Sequence, residues 1–250
     1  MEDIFFFDAN VRVGFDNHRR GASTAELLAD MEHYGIERAL VRSRCTACSG
    51  ALIGNRQICK ELAQDTAGKL TGVWCVLPSQ CDDMPEPDEF FAAMKANNIG
   101  ALTIEPFDHR YIPCRLTLGK ILGAAAERKI PVLLHAFQHK WEELYRFMAE
   151  FPELTCIFNA GHKWGTDRNI RPLLENYPNC RAELAGYWVP EGIADLAKIY
   201  GAERLVYGSG FPKYNHGSGM LQLKHSTLSE KEIAMIAGKN LEELLKGAEL

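Results

Sequence analysis

The chain has 250 residues, of which 46% are hydrophobic and 24% are charged, so it carries enough apolar material for a sizeable core. This composition excludes a disordered, collagen-like or small disulfide-stapled chain. Its 28 basic and 33 acidic side chains give a net charge of -5, which provides no general attraction to nucleic acid or to an anionic membrane.

The sequence indicates neither export nor membrane insertion. The first apolar run, at residues 4–7, follows acidic residues and is too short for a secretory signal. No stretch approaches the roughly 18 apolar residues that span a bilayer. We therefore expect a cytoplasmic protein whose cysteines are free thiols. Cys45 and Cys48 have C-x-x-C spacing without a second pair suited to zinc, so their role stays open.

Short apolar runs recur along the chain, and an amphipathic segment follows each of them. The runs are near-continuous, as in strands that are covered on both faces. They occupy residues 4–13, 39–41, 70–77, 101–104, 131–137, 154–159, 180–185 and 205–208. The first predicted helix begins with a capping box at Ser23 and ends at Gly35. The others occupy residues 56–66, 88–97, 116–128, 140–151, 168–176, 191–200 and 230–246, and the longest loops are predicted at 43–55 and 212–229.

Eight strands that alternate with eight helices predict one α/β domain over residues 1–250, a single (β/α)8 TIM barrel. The alternative is an open doubly wound sheet, but no G-x-G-x-x-G follows the first strand. The site of a TIM barrel lies at the carboxyl ends of its strands. The polar candidates there are Asp8, Asn10, Arg12, Arg42, Arg44, Cys75, Glu105, His109, His135, His139, Asn159, His162, Lys163, Glu183, Ser209, Lys213 and His216. Alternation along the first strand places Asp8, Asn10 and Arg12 on one face, which we expect to be the lumen.

Several segments at these strand ends resemble one known family. The segment at residues 8–12 stands where that family has Asp-x-His-x-His, and His135 ends a segment like its fifth strand. Residues 159–161 stand where it has His-x-Gly, and residues 201–212 match a segment that ends in Gly-Ser-Asp-x-Pro. Over nearly the whole chain the sequence resembles the amidohydrolase superfamily, specifically the amidohydrolase 2 family. The resemblance implies a TIM-barrel hydrolase.

The resemblance also implies a metal ion held by five side chains. Their positions in this chain are occupied by Asn10, Arg12, His135, Asn159 and Gly210, so one histidine remains. Asparagine is a poor ligand for zinc, and arginine is a fixed cation that repels it. Gly210 stands where the family has the aspartate that typically acts as general base. We expect the metal site to be lost and no cofactor to be bound, with Asn10, Arg12, His135 and Asn159 still converging on one pocket.

The candidate roles follow from these positions. The candidate catalytic residues are His135, Glu105, Glu183 and His162, and the candidate substrate-binding residues are Asn10, Arg12, Arg44, Asn159, Lys163 and Lys213. Each has an alternative interpretation. Arg12 could form a buried ion pair with Glu105 or Glu183, and Asp8 could satisfy neighbouring backbone groups.

Three functions are compatible with this pattern. The first is a metal-independent hydrolase or lyase that acts on a small carboxylate or phosphate, for which lactone hydrolases of the superfamily that work without metal are a precedent. The second is a non-catalytic protein that binds a ligand or a partner. The third is a metallohydrolase with a rebuilt site that uses His135, His162, Glu105 or cysteines. We expect a small anionic ligand, with neither nucleic acid nor membrane as partner, and a homo-oligomer stays open.

Overall fold

A computed structural model of the chain describes residues 4–135, 141–161 and 166–250. The predicted alternation of strands and helices is confirmed. The strands are β1 (Phe7–Phe15), β2 (Gly21–Ala22), β3 (Arg38–Ser43), β4 (Leu70–Cys75), β5 (Ile99–Thr103), β6 (Val132–Leu133), β7 (Cys156–Asn159), β8 (Cys180–Glu183) and β9 (Leu205–Val206).

The helices lie between successive strands and after the last one. They are α1 (Thr24–Tyr34), α2 (Cys45–Ser49), α3 (Ala51–Leu62), α4 (Pro87–Ala96), α5 (Pro106–His109), α6 (Arg115–Glu127), α7 (Trp141–Glu150), α8 (Asp167–Asn176), α9 (Gly192–Tyr200), α10 (His216–Lys224), α11 (Glu230–Ala234) and α12 (Asn240–Lys246). The predicted capping box is present at the start of α1, where the Ser23 hydroxyl accepts from the backbone N–H of Glu26. None of the described helices combines the length and the apolar character that crossing a bilayer requires.

The strands form a curled sheet in the order β2-β1-β3-β4-β5-β6-β7-β8-β9. Neighbouring strands from β1 through β3 to β9 are parallel, and β2 folds back antiparallel on the end of β1. The two ends of the sheet are joined, because Ala9 N–H donates to Tyr207 O, Arg12 N–H to Phe211 O and Gly210 N–H to Asn10 O, each at 3.0 Å. The predicted TIM-barrel fold is therefore confirmed.

The barrel interior changes from apolar to polar toward the carboxyl ends of the strands. A fully buried apolar cluster fills its lower part, with Leu40, Val73, Leu133 and Ile157 among its members. Two residues further along the same strands come Arg42, Cys75, His135 and Asn159. Because side chains alternate along a strand, these residues lie on the same face, one layer closer to the mouth. The alternation of side chains along the strands thus places these polar groups at the barrel mouth.

The loop expected at residues 43–55 is a wrong prediction, because this segment forms α2 and the start of α3. The two helices meet at Gly50, whose φ of 101° favours glycine. A Cβ on Gly54 would lie 2.7 Å from Thr46 Cα, so glycine permits α2 to pack directly on α3. Gly50 therefore permits the turn between the two helices, and Gly54 permits their close packing.

Three other boundaries also differ from the sequence-based expectation. Helix α10 lies inside the loop expected at 212–229, capped by the Asn215 side chain, and a Cβ on Gly217 would lie 2.5 Å from the Tyr34 ring. The helix expected at 230–246 is divided by a π-helical turn (Met235–Lys239), where Gly238 packs against Phe5. The fifth parallel strand is only Val132–Leu133, and residues 136–137 of its expected range lie outside the described residues.

Candidate functional site

A cavity of about 560 Å³ opens at the carboxyl ends of the barrel strands. Eight of the polar candidates that the sequence nominated line it, namely Asn10, Arg12, Arg42, Arg44, Glu105, His135, Asn159 and Lys213. The predicted convergence of Asn10, Arg12, His135 and Asn159 is therefore confirmed. The candidates His139, His162 and Lys163 lie outside the described residues.

Glu183 lies beneath the cavity and holds two of its side chains. Its Oε2 accepts from Asn10 Nδ2 at 2.8 Å and from Asn159 Nδ2 at 2.5 Å. Its Oε1 accepts from the backbone N–H of Ala185 at 2.5 Å. The side chain is fully buried, and this burial raises the pKa of Glu183 to about 7 despite the hydrogen bonds that lower it. Glu183 therefore positions both amide side chains, and its own carboxyl group titrates near neutral pH.

Two guanidinium groups share one carboxylate at the centre of the cavity. Arg12 Nη2 lies 3.5 Å from Glu105 Oε1, and Arg42 Nη1 lies 3.9 Å from the same oxygen. Arg42 Nη2 also donates to Asn10 Oδ1 at 2.9 Å. Burial, followed by repulsion from Arg12, lowers the pKa of Arg42 to about 9. The ion pair of Arg12 with Glu105 was one of the alternatives that the sequence left open, and it leaves an excess of positive charge because both arginines share it.

His135 presents an uncharged ring to this cavity. The residue is 4% exposed, and neither ring nitrogen has a hydrogen-bond partner among the described residues. Burial, together with the charges of Arg42 and Arg12, lowers the pKa of His135 well below its usual range. A neutral imidazole carries one N–H donor and one acceptor nitrogen, so His135 can give or take a proton from a molecule bound beside it.

A second group of charges surrounds the mouth of the cavity. The Asp16 carboxylate accepts from Arg20 Nε at 3.0 Å and from Arg44 Nη2 at 3.1 Å. Hydrogen bonds from the Arg20 backbone and from both arginine side chains lower the pKa of Asp16. Lys213, which also lines the cavity, has its Nζ 4.9 Å from the centre of the Tyr214 ring. Sequence reasoning missed Arg20, because the short hairpin that brings it to the mouth has no apolar pattern.

Asp8 and His216 lie away from the cavity, within the wall of the barrel. The expectation that Asp8 shares one face with Asn10 and Arg12 is therefore wrong, because the pairing of β1 with β3 shifts between Asp8 and Val11 and interrupts the alternation. Asp8 Oδ1 accepts from the backbone N–H groups of Asn10 and Ser209, both at 2.9 Å, and so links the first strand to the last. Asp8 Oδ2 lies 3.2 Å from His216 Nε2, while His216 Nδ1 lies 2.5 Å from Asp30 Oδ2. Burial lowers the pKa of His216, but the two carboxylates outweigh it and the net shift is upward. His216 therefore joins two carboxylates and does not reach the mouth.

The remaining candidates make local contacts. His109 has its Nε2 2.9 Å from the carbonyl of Thr46 and its Nδ1 3.8 Å from the buried thiol of Cys75. Cys45 and Cys48 are free thiols on α2, and both contact backbone carbonyls. Within the described ranges, no three His, Cys, Asp or Glu side chains form a group that could hold a metal ion.

Comparison with known families identifies the barrel. The model of the family described as amidohydrolase matches residues 15–247. The chain belongs to the amidohydrolase family. This agrees with the resemblance carried by residues 159–161 and 201–212, which lie within the matched range, whereas residues 8–12 precede it. No curated protein matches the chain.

Solved structures of amidohydrolase relatives share the fold at low identity. A 2,6-dihydroxybenzoate decarboxylase from Rhizobium is 13% identical, with a TM-score of 0.72 over 97% of this chain and 99% of that one. A probable 2-pyrone-4,6-dicarboxylic acid hydrolase from Acinetobacter baumannii, with citric acid bound, is 15% identical, with a TM-score of 0.71 over 96% and 99%. A 5-carboxyvanillate decarboxylase mutant from Novosphingobium aromaticivorans, with manganese and a nitrobenzoic acid bound, is 12% identical, with a TM-score of 0.76 over 98% and 97%. At these identities the likeness shows the fold alone.

Proposed function

We propose that this amidohydrolase is a metal-independent hydrolase or lyase that acts on a small carboxylate. One observation carries the proposal, namely that Arg12, Arg42 and an uncharged His135 face a single cavity. Within the described residues, Arg42 Nε and Nη1 and both ring nitrogens of His135 are buried without a hydrogen-bond partner. Buried polar groups are normally paired, so unpaired groups at a cavity indicate a ligand that pairs them. The relatives named above act on or hold carboxylates, which supports the same ligand class.

The two arginines would hold the carboxylate. Arg12 and Arg42 share Glu105, so one positive charge remains for a ligand. Hydrogen bonds from guanidinium to carboxylate are among the strongest in proteins, and a poorly solvated cavity strengthens them. Glu183 positions Arg42 indirectly. It accepts a hydrogen bond from the Asn10 side chain, and the Asn10 oxygen accepts one from Arg42.

His135 would exchange a proton with the bound molecule. A bound carboxylate would offset the charges of Arg12 and Arg42 that oppose protonation of the ring. The neutral ring could then accept a proton from the bound molecule and return it to a leaving group or to a carbanion. Glu105 lines the same cavity and its Oε2 is unpaired among the described residues, so it is a second group that could exchange a proton with the ligand. Glu183 lies outside the lining with both oxygens occupied, which leaves it a positioning role. The choice between hydrolysis and lysis depends on the substrate.

The residues at the implied metal positions do not fit a divalent ion. The oxygen of Asn10 accepts from Arg42, and the amide nitrogens of Asn10 and Asn159 are directed at Glu183. The guanidinium of Arg12 adds a fixed positive charge at the same place. One histidine beside two cations cannot supply the three or four donors that zinc requires. This donor set supports chemistry by side chains alone.

Arg12→Ala should abolish or strongly weaken carboxylate binding. Isothermal calorimetry with a panel of mono- and dicarboxylates is expected to show binding to the wild type and at least about a tenfold weaker affinity for the variant. Arg38→Ala is a matched control, because Arg38 is exposed to a similar extent but pairs with Glu242 at the opposite end of β3. A wild type that binds none of the panel, or a variant that binds a hit equally well, would overturn the proposal.

The same panel separates an enzyme from a non-catalytic binding protein. A ligand found by calorimetry is incubated with the protein and followed by NMR. Product formation by the wild type, and none by His135→Gln that still binds the ligand, is expected for the enzyme. Binding without product from any hit would assign the barrel to a binding protein.

Treatment with a metal chelator should not change the affinity of the protein for carboxylates. After dialysis against a chelator, carboxylate affinity is expected to equal that of the untreated protein, and elemental analysis is expected to find metal far below one ion per chain. The reason is the donor set described above, in which guanidinium groups and amide N–H groups surround His135. Stoichiometric zinc, manganese or iron that His135→Ala loses would reject metal independence.

A further inference from the structure

The cavity has two separate layers of positive charge along its wall. Arg42 and Arg44 are two residues apart at the end of β3 and both line the cavity. Arg12 pairs in register with Arg42, so these two lie in one layer. Arg44 follows the last residue of β3, and its backbone N–H donates to Val13 O at 2.8 Å, so it lies further toward the mouth than the Arg12–Arg42 pair.

The outer layer repeats the charge pattern of the inner one. Arg20 and Arg44 share the carboxylate of Asp16, as Arg12 and Arg42 share that of Glu105. In both layers two guanidinium groups face one carboxylate, which leaves one positive charge unbalanced.

The outer layer also contains an unsatisfied donor. Arg44 donates to Asp16 through Nη2, but its Nε is buried and has no hydrogen-bond partner among the described residues. An unpaired guanidinium N–H that is shielded from water is costly unless a ligand accepts from it. Lys213 adds a cation to the same mouth, and Asp108 is the other carboxylate among the described lining residues.

We propose that the cavity takes a molecule with two carboxylate groups, one held by Arg12 and Arg42 and the other by Arg44 with Arg20. This inference rests on the proposed function, because it assumes that the inner arginines bind a carboxylate. The inference adds that Arg44 determines the preference for dicarboxylates over monocarboxylates. Only a ligand with a second anionic group nearer the mouth would contact Arg44. A monocarboxylate would fill the inner layer and leave Arg44 unpaired.

The test compares straight-chain α,ω-dicarboxylates with monocarboxylates of the same chain length by calorimetry. One member of the dicarboxylate series is expected to bind about tenfold or more tightly than its monocarboxylate counterpart, because it gains a second set of charge-assisted hydrogen bonds. Arg44→Gln is expected to lower dicarboxylate affinity about tenfold and monocarboxylate affinity much less, so that the preference is lost. Arg38→Gln, which removes a cation from the other end of the same strand, should retain the preference.

The outcomes separate this inference from the function on which it rests. If monocarboxylates bind and Arg12→Ala removes that binding, but no dicarboxylate binds better, the two-carboxylate ligand is rejected and the proposed function stands. The two-carboxylate ligand is also rejected if Arg44→Gln weakens the binding of both classes equally. If neither class binds the wild type, the proposed function itself fails. Circular dichroism of Arg44→Gln confirms that a loss of preference does not come from unfolding.

Discussion

Asp8→Ala is expected to lower the free energy of unfolding by about 3–5 kcal/mol, the range found when one partner of a buried charge pair is removed. Asp8 is fully buried, and its carboxylate accepts from the backbone of Asn10 on the first strand and of Ser209 beyond the last. Its second oxygen faces His216, which is buried as well. Alanine would leave two backbone donors and the Nε2 of His216 unpaired at the point where the barrel closes. Urea unfolding followed by tryptophan fluorescence measures the loss.

Asp30→Asn is the matched control for this prediction. Asp30 contacts the other nitrogen of His216, but its side chain is 28% exposed. A partly solvated carboxylate contributes less, so the expected loss is about 1 kcal/mol or below. Equal losses from Asp8→Ala and Asp30→Asn would show that the stability comes from His216 alone and would contradict the assigned role of Asp8 at the barrel closure.

The sequence was sufficient for the fold and for the positions that meet in the cavity. Continuous apolar runs separated by amphipathic segments predicted the parallel strands, and alternation along β1 placed Asn10 and Arg12 on the same face. The resemblance of residues 130–135 and 159–161 to the family then located His135 and Asn159. These inferences succeed because a strand fixes the direction of every second side chain once one position is known.

The partners of these side chains could not be predicted. Glu105 and Glu183 were equivalent in the sequence, since each follows a strand, yet one pairs with two guanidinium groups and the other accepts from two amides. Arg42 was a candidate that received no role, although it lies at the centre of the network. Such choices depend on distances of a few ångströms between strands that are far apart in sequence. No local pattern encodes those distances.

One network of hydrogen bonds and ion pairs connects the described side chains at the barrel mouth. Glu183 binds Asn10 and Asn159, Asn10 binds Arg42, and Arg42 and Arg12 approach Glu105. Carboxyl groups alternate with hydrogen-bond donors along this series. The two guanidinium groups exceed Glu105 by one charge while Glu183 is protonated, and Glu183 balances that charge when it ionises. A carboxylate ligand would pair with the arginines of this network. Its affinity would therefore depend on whether Glu183 is ionised.

The stability of the wild type is expected to fall relative to that of Glu183→Gln as the pH rises. In the folded protein, burial raises the pKa of Glu183 from 4.5 to about 7. Between these values the folded chain keeps a proton that the unfolded chain has released, so the free energy of unfolding decreases with increasing pH. The stabilising contribution is complete below pH 4.5 and is lost as the pH passes through about 7, with a total of about 3 kcal/mol. Glutamine cannot ionise, so the free energy of unfolding of the variant lacks this dependence on pH.

Urea unfolding of both proteins from about pH 4 to about pH 8 measures the difference between the two curves. Taking the difference removes the contribution of His216, whose pKa is raised and whose stabilising effect is lost at higher pH in both proteins. Near pH 4 the wild type should be at least as stable as the variant, since both side chains are then neutral. Above pH 7 the wild type should lose its advantage, because an ionised Glu183 lies fully buried near Asp8. Parallel curves would mean that Glu183 ionises in the folded protein at its ordinary pKa. In that case the hydrogen bonds from Asn10, Asn159 and Ala185 would balance the cost of burying the charge.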